Sequence, residues 1–183
     1  DELSMRIRKL YEQKLLQKEN VALRTFLTMD KKVSIIAKSE SMRNILGTVD
    51  ELKNSDINIL LTGETGVGKS LLAKLIHFTC KRQNMPFLSI NCATLTEELL
   101  ASELFGYERG AFSGAVTSKQ GLVEIADTGT LFLDEITELS TNLQAKLLKI
   151  VEEGEFYRVG GTKPIMVDVR FIAASNQNLK QLI

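Results

Sequence analysis

Eight consecutive residues, Gly63-Glu64-Thr65-Gly66-Val67-Gly68-Lys69-Ser70, fit the pattern G-x-x-x-x-G-K-[ST] and run into Leu71. Between a buried strand and a helix, such a run is built to cradle a polyphosphate. Its glycines let backbone N–H groups converge on phosphate oxygens, while the positive end of the helix points at the same anion. Lys69 is expected to bridge the β and γ phosphates, and the Ser70 hydroxyl to ligate Mg²⁺. A second pair, Asp134 and Glu135, closes the apolar run LFLDE. A carboxylate at the carboxyl end of a parallel strand can hold the metal's water shell, and a second beside it can polarise a water for attack on the γ phosphate. The pair therefore points to hydrolysis rather than storage of a nucleoside triphosphate.

Two amides stand at comparable places. The strand FIAAS delivers Ser175 and Asn176, and Asn176 either orients water and reports the γ phosphate or simply opens a turn. Asn91 ends FLSIN and offers Glu135 a hydrogen bond that would hold it away from water. A different feature is YERGAFSGAV, where Phe112 sits among Gly110, Ala111, Ser113, Gly114 and Ala115. On the residues alone, one large ring on so flexible a backbone is either a core anchor or a contact surface.

The elements that must position these groups are legible in the apolar pattern. From Asn58 onward apolar runs alternate with amphipathic helices, the pattern of a parallel sheet covered by helices. Strands are expected at NILLTG, FLSIN, TLFLD and VDVRFIAAS. Helices are expected over 42–52 with Ser39 or Ser41 as N-cap, over 70–80, over 96–105 capped by Thr96, and from Ser140 to Glu153. Residues 106–121 read as a loop projecting from a helix pair, and EFYRVGGTKPIMV as a hairpin around GGTKP. Leu3 to Thr28 carries no proline or glycine and spaces its leucines helically; its interrupted stripe fits a short dimeric coiled coil or a solvated linker helix equally. The expected organisation is a linker or dimerisation helix at 1–30 and an α/β domain at 31–183.

Composition narrows the partners. The chain has 183 residues, 44% hydrophobic and 25% charged, the balance of a soluble globular domain. No apolar run approaches the roughly 20 residues of a membrane span, and the opening DELSMRIRKL is not a signal peptide, so no membrane and a cytoplasmic setting are expected. Twenty-three basic side chains balance 23 acidic ones, leaving no global field to hold a nucleic acid. Cys80 and Cys92 lie in apolar stretches without ligand spacing and are expected to be reduced core residues. His77, on a helix, is expected to pack rather than react.

Together, GETGVGKS, SELFGYERGAFSGA, ADTGTLFLDEI and FIAASNQ resemble the central AAA+ ATPase domain of the bacterial enhancer-binding proteins, activators of sigma-54 RNA polymerase. The likeness runs from about Ile35 to the last residue. It rests above all on ELFGYERGAFSGA, because a P-loop alone is shared by many nucleotide-binding proteins. The resemblance implies a three-layer P-loop NTPase sheet with helices on both faces, ATP and Mg²⁺ as cofactors, and assembly into a dimer and a ring. It also implies that Phe112 is a contact residue, in a loop at 110–115 that meets the sigma factor and moves with the nucleotide state. By the same resemblance Lys69 and Ser70 are the P-loop pair, Asp134 and Glu135 the metal and water residues, Asn176 a sensor, and Asn91 the switch partner of Glu135. The hairpin EFYRVGGTKPIMV is implied to lie near the contact loop, and the first helix to follow a receiver domain.

Three positions depart from the family's usual pattern. Ser113 replaces a threonine, Ser70 a glutamate, and Ala37 a glycine near an adenine pocket expected around Val33 to Ala37. The arginine fingers, the helical lid and a helix-turn-helix are expected beyond QLI, so that the chain resembles a piece of a larger regulator that turns over slowly alone and meets DNA only through another domain. Two rivals stand beside this reading. A GTP-binding switch shares the P-loop and the metal-binding Asp, but no N-K-x-D stretch is present to read guanine. A dimerisation or docking module acting through the first helix, with a weak nucleotide site, is the non-enzymatic rival.

Overall fold

The computed structural model describes residues 37–177. In chain order these form α1 (Glu40–Glu51), a 3₁₀ turn (Leu52–Asn54), β1 (Ile59–Thr62), α2 (Lys69–Thr79), β2 (Phe87–Asn91), α3 (Glu97–Phe105), β3 (Gly106–Tyr107) and β4 (Lys119–Gln120). They continue with α4 (Leu122–Ile125), β5 (Thr130–Asp134), a second 3₁₀ turn (Ile136–Glu138), α5 (Thr141–Glu153), β6 (Glu155–Tyr157), β7 (Pro164–Met166) and β8 (Arg170–Ser175). The helix expected over Leu3 to Thr28, and most of the expected adenine region, lie outside the described residues.

Four strands form one parallel sheet in the order β1-β8-β5-β2. Because successive side chains alternate between faces, each central strand feeds two cores. Leu131 and Leu133 of β5 and Phe171 of β8 pack with Leu100, Leu104, Leu143 and Ile150 from α3 and α5. Phe132, Ile172 and Ala174 face the other way, against Val49 of α1 and Ala73 and Ile76 of α2. The expected three layers are therefore present. Apolar burial dominates the energetics here: truncating a buried leucine such as Leu133 to alanine costs about 2–5 kcal/mol.

Local signals set the helix ends. The Ser39 side chain accepts from the Met42 N–H and the Ser140 side chain from the Leu143 N–H, each satisfying a first-turn donor. Thr96 caps α3 through its backbone alone, its carbonyl accepting from the Leu100 N–H. At the amino-terminal edge of the sheet Arg82 binds three connections at once. Its guanidinium donates to the Asp168 carbonyl (2.8 Å) and the Gly129 carbonyl (3.2 Å) and pairs with the Asp168 and Asp56 carboxylates (2.9 and 3.1 Å). Burial opposes that charge, but the two carboxylates outweigh it and raise the Arg82 pKa.

Residues 106–121 are more ordered than a plain loop. β3 and β4 pair antiparallel at their base, and a Cβ on either Gly106 or Gly121 would run into the other's backbone. The hairpin expected around GGTKP is β6–β7, and its turn reaches back to β3 through a bridge between Val159 and Tyr107.

Thr128, in the turn before β5, has φ +64°, a left-handed conformation that a β-branched residue adopts only at a cost. Its N–H donates to the Asp168 carbonyl (2.9 Å), which fixes the turn. Replacing Thr128 with Gly is expected to stabilise the fold by about 1 kcal/mol, the strain relieved less the backbone entropy of glycine. A thermal melt that falls in Thr128→Gly would contradict this.

Candidate functional site

The P-loop residues join the end of β1 to α2, as the spacing predicts. The Gly63 N–H donates to the Ser175 carbonyl (3.1 Å), so the loop starts in register with the end of β8. Gly66 (φ +84°) and Gly68 (φ +97°) take backbone conformations that side chains disfavour, and Gly68 stands at the N-cap of α2. Lys69 is 9% exposed, rare for a charged side chain. Its Nζ donates to the carbonyls of Gly63 (2.8 Å) and Glu64 (3.1 Å), using two of three donors. Glu64, Thr65, Val67, Ser70 and Leu71 are exposed around it.

Asp134 and Glu135 arrive at the same edge. β5 is buried through Leu133 and half-buried at Asp134, whose Oδ1 accepts from the Glu135 N–H (3.1 Å). Glu135 lies at φ +53°, ψ +51°, and its Oε2 is buried without a hydrogen-bond partner among the described residues. A left-handed non-glycine costs about 1–2 kcal/mol and a buried unpaired acceptor about 1–3 kcal/mol. Both costs fall on one residue, which is where strain kept for chemistry is found.

Asn91 stands directly across from Asp134 in the β2–β5 register. It does not bond to Glu135, contrary to the hydrogen bond anticipated from sequence. A local turn takes the amide instead: Asn91 Oδ1 accepts from the Ala93 N–H (2.8 Å). Ser175 is buried, with its hydroxyl accepting from the Gln177 N–H (2.9 Å), and Asn176 is exposed just past β8. Thus Gly63–Leu71, Asn91, Asp134, Glu135 and Asn176 share one sheet edge. The residues suit Mg²⁺, which keeps several waters and needs few protein ligands; Ser70 and Asp134 provide a hydroxyl and a carboxylate at that edge.

Gly110–Ala115 belongs to the separate β3–β4 stem. Its loop closes on itself, Gly110 N–H to the Ala115 carbonyl (2.9 Å) and Ala115 N–H to the Phe112 carbonyl (3.0 Å). Ala115 is buried while Phe112 is 47% exposed, so the ring is not a core anchor. Tyr107 meets that ring, and the hairpin lies beside the loop as the resemblance implies; the side chains that join the two, Arg158 to Glu108 and Glu124, lie 50 and 34 positions apart, and no periodic pattern marked them.

The sequence model of the sigma-54 interaction domain matches residues 35–183. This chain belongs to the sigma-54 interaction domain family. It is 49% identical over 147 residues to the Nif-specific regulatory protein of Enterobacter agglomerans, covering 80% of this chain and 28% of that protein. With the DNA-binding transcriptional regulator NtrC of Escherichia coli it shares 46% over 149 residues, 81% of this chain and 32% of NtrC. The chain thus spans less than a third of either relative. Among solved structures, NtrX of Brucella abortus in complex with ATP is similar with a TM-score of 0.76 at 33% identity, over 93% of this chain and 37% of NtrX. The P-loop NTPase domain of a sigma-54 activator from E. coli aligns with a TM-score of 0.53 at 21% identity, over 80% of this chain and 82% of that one, a likeness of fold.

In this sigma-54 interaction domain the cysteines are free and buried, and His77 packs fully buried with Nδ1 2.9 Å from Thr130 Oγ1. Burial, and then the charge of Asp134, push the Cys92 thiol up to about 12. An unfolded chain ionises that thiol from about pH 9, whereas the folded one does not until about 12, so stability falls as pH rises through this window. Cys92→Ala is expected to flatten that alkaline loss in urea titrations, and Ellman's reagent at pH 8 is expected to leave the folded chain unmodified. Rapid modification of Cys92 in the folded chain would refute both.

Proposed function

We propose that this chain is the ATP-binding and ATP-hydrolysing central AAA+ domain of a sigma-54-dependent transcription regulator, and that hydrolysis drives remodelling of the RNA polymerase closed complex through the loop Gly110–Ala115. The observation that carries the proposal is the convergence, on one sheet edge, of the buried Lys69 ammonium with Asp134 and the strained Glu135. Similarity to an ATP complex of NtrX supports the choice of nucleotide.

Each residue has a role in this reading. Backbone N–H groups of Gly63–Leu71 and Lys69 hold the triphosphate of ATP, and Lys69 exchanges its loop carbonyls for phosphate oxygens. Ser70 and Asp134 would hold Mg²⁺, partly through water, and the ion would supply neutralisation of phosphate charge. Glu135, with a buried oxygen free of protein donors, accepts the proton of the attacking water. Asn176 reports the γ phosphate. Asn91 is close enough in register to take up Glu135 once its turn to Ala93 opens.

In this reading the assembled regulator is a ring in which a neighbour's arginine contributes about 10³-fold or more to the rate, and residues 1–30 are either a linker or its dimerisation element. DNA is met by another domain of the regulator, consistent with the even balance of 23 basic and 23 acidic side chains. The setting that goes with this reading is the cytoplasm, where RNA polymerase works.

Calorimetry with Mg·ATP tests the reading. Lys69→Ala is expected to weaken binding roughly 10-fold or more, the worth of a lost charge-assisted hydrogen bond. Glu135→Gln is expected to keep the affinity and to lower single-turnover hydrolysis in the assembled regulator by about 10²–10⁴. Absence of Mg·ATP binding in the unsubstituted chain, or a clear preference for GTP in competition, would overturn the assignment.

A further inference from the structure

The ring of Phe112 is half-exposed yet not free. It meets Tyr107 edge to face, with ring centroids 5.0 Å apart and planes at 65°, the arrangement aromatic quadrupoles favour. The two rings stand on unlike supports. Tyr107 is fixed from both sides: it pairs antiparallel with Lys119 and bridges to Val159. The Val159 N–H donates to the Gly106 carbonyl (2.9 Å), and the Val159 carbonyl accepts from the Glu108 N–H (3.0 Å). Arg158 locks that junction, with Nε on Glu124 Oε2 (3.0 Å), Nη2 on Glu124 Oε1 (2.8 Å) and Nη1 on Glu108 Oε1 (3.0 Å). A fork of this kind is geometrically specific, and both Arg158 and Glu124 are mostly shielded from water.

Phe112, in contrast, rides between Gly110 (φ +84°) and Gly114 (φ +104°), neither of which has a neighbouring atom within 4 Å of the place a side chain would take. Gly160, at the turn of the hairpin, abuts Ala111, the residue before Phe112. A ring on paired strand backbone therefore faces a ring on a short turn flanked by two left-handed glycines.

We infer that Tyr107 is a positioning residue for Phe112: its ring is the fixed surface that holds the contact loop folded back until a partner takes Phe112 away. The inference rests on the reading of Gly110–Ala115 as a partner-contact loop. Any apolar surface that captures Phe112 must first replace the Tyr107 contact, so the pair sets a threshold for engagement. An aromatic pair of this type shifts such an equilibrium by about 2- to 10-fold.

The chain contains no tryptophan, so Phe112→Trp places a single fluorescent reporter on the loop tip. In that background Tyr107→Ala is expected to raise the acrylamide quenching constant by about 2-fold or more with a red-shifted emission, and Tyr107→Phe to restore the parent values, because the ring and not the hydroxyl makes the contact. Equal quenching in all three backgrounds, or a Tyr107→Phe variant that behaves like Tyr107→Ala, overturns the inference. In the unsubstituted chain, ring-to-ring nuclear Overhauser contacts between Tyr107 and Phe112 are expected, and their absence overturns it without reliance on any variant. Mg·ATP binding measured alongside separates the two levels: its loss would sink the assignment of function, while the quenching comparison would still decide the role of Tyr107.

Discussion

The parallel pairing of β8 with both β1 and β5 is the constraint on which everything else depends. Thr62 lies level with Ser175 and Leu133 with Ala173, so the segments that leave β1, β8 and β5 emerge along one line. Neighbouring strands are about 5 Å apart, which sets the phosphate-type loop and the acidic pair roughly 10 Å from each other across β8. No side chain need reach for its place, because backbone hydrogen bonds have already put it there. The opposite edge is closed by Arg82, so the two ends of the sheet are chemically unlike from the outset.

Two side chains at the open edge are held at odds with ordinary stability. Lys69 buries its charge against carbonyls, and Glu135 combines a left-handed backbone with a shielded oxygen that none of the described residues satisfies. Their combined cost is a few kcal/mol. Two cores, one on each face of the sheet, offset it with several fully buried leucines and phenylalanines, each worth about as much. A scaffold this well packed can carry an acid and a base in postures that a smaller domain would relax.

Much of this was legible from the residues. The glycine cradle, the four strands, the caps at Ser39 and Ser140 and the hairpin after Glu153 all have short-range causes: turn chemistry, alternation, and side chains that bond a few positions away. Asp134 and Glu135 could be placed because a strand ends at them. What escaped depends on contacts between distant segments. The two-residue strands β3 and β4 are too short to show a period, and the Arg158 fork joins residues 34 and 50 positions away. Asn91 stands where its strand end predicts, but the partner of its amide was not legible: a bond two residues away, to Ala93, wins over the longer reach to Glu135. Membership of the sigma-54 interaction domain family came from the combination of motifs, whose spacing the fold then explains.

Gly106 and Gly121 have a consequence of another kind. Because each occupies the space where the other's β-carbon would sit, the two ends of the intervening segment are sealed together by bare backbone. A methyl group at either position would prise the root of the fourteen-residue segment apart before any contact further along it was touched.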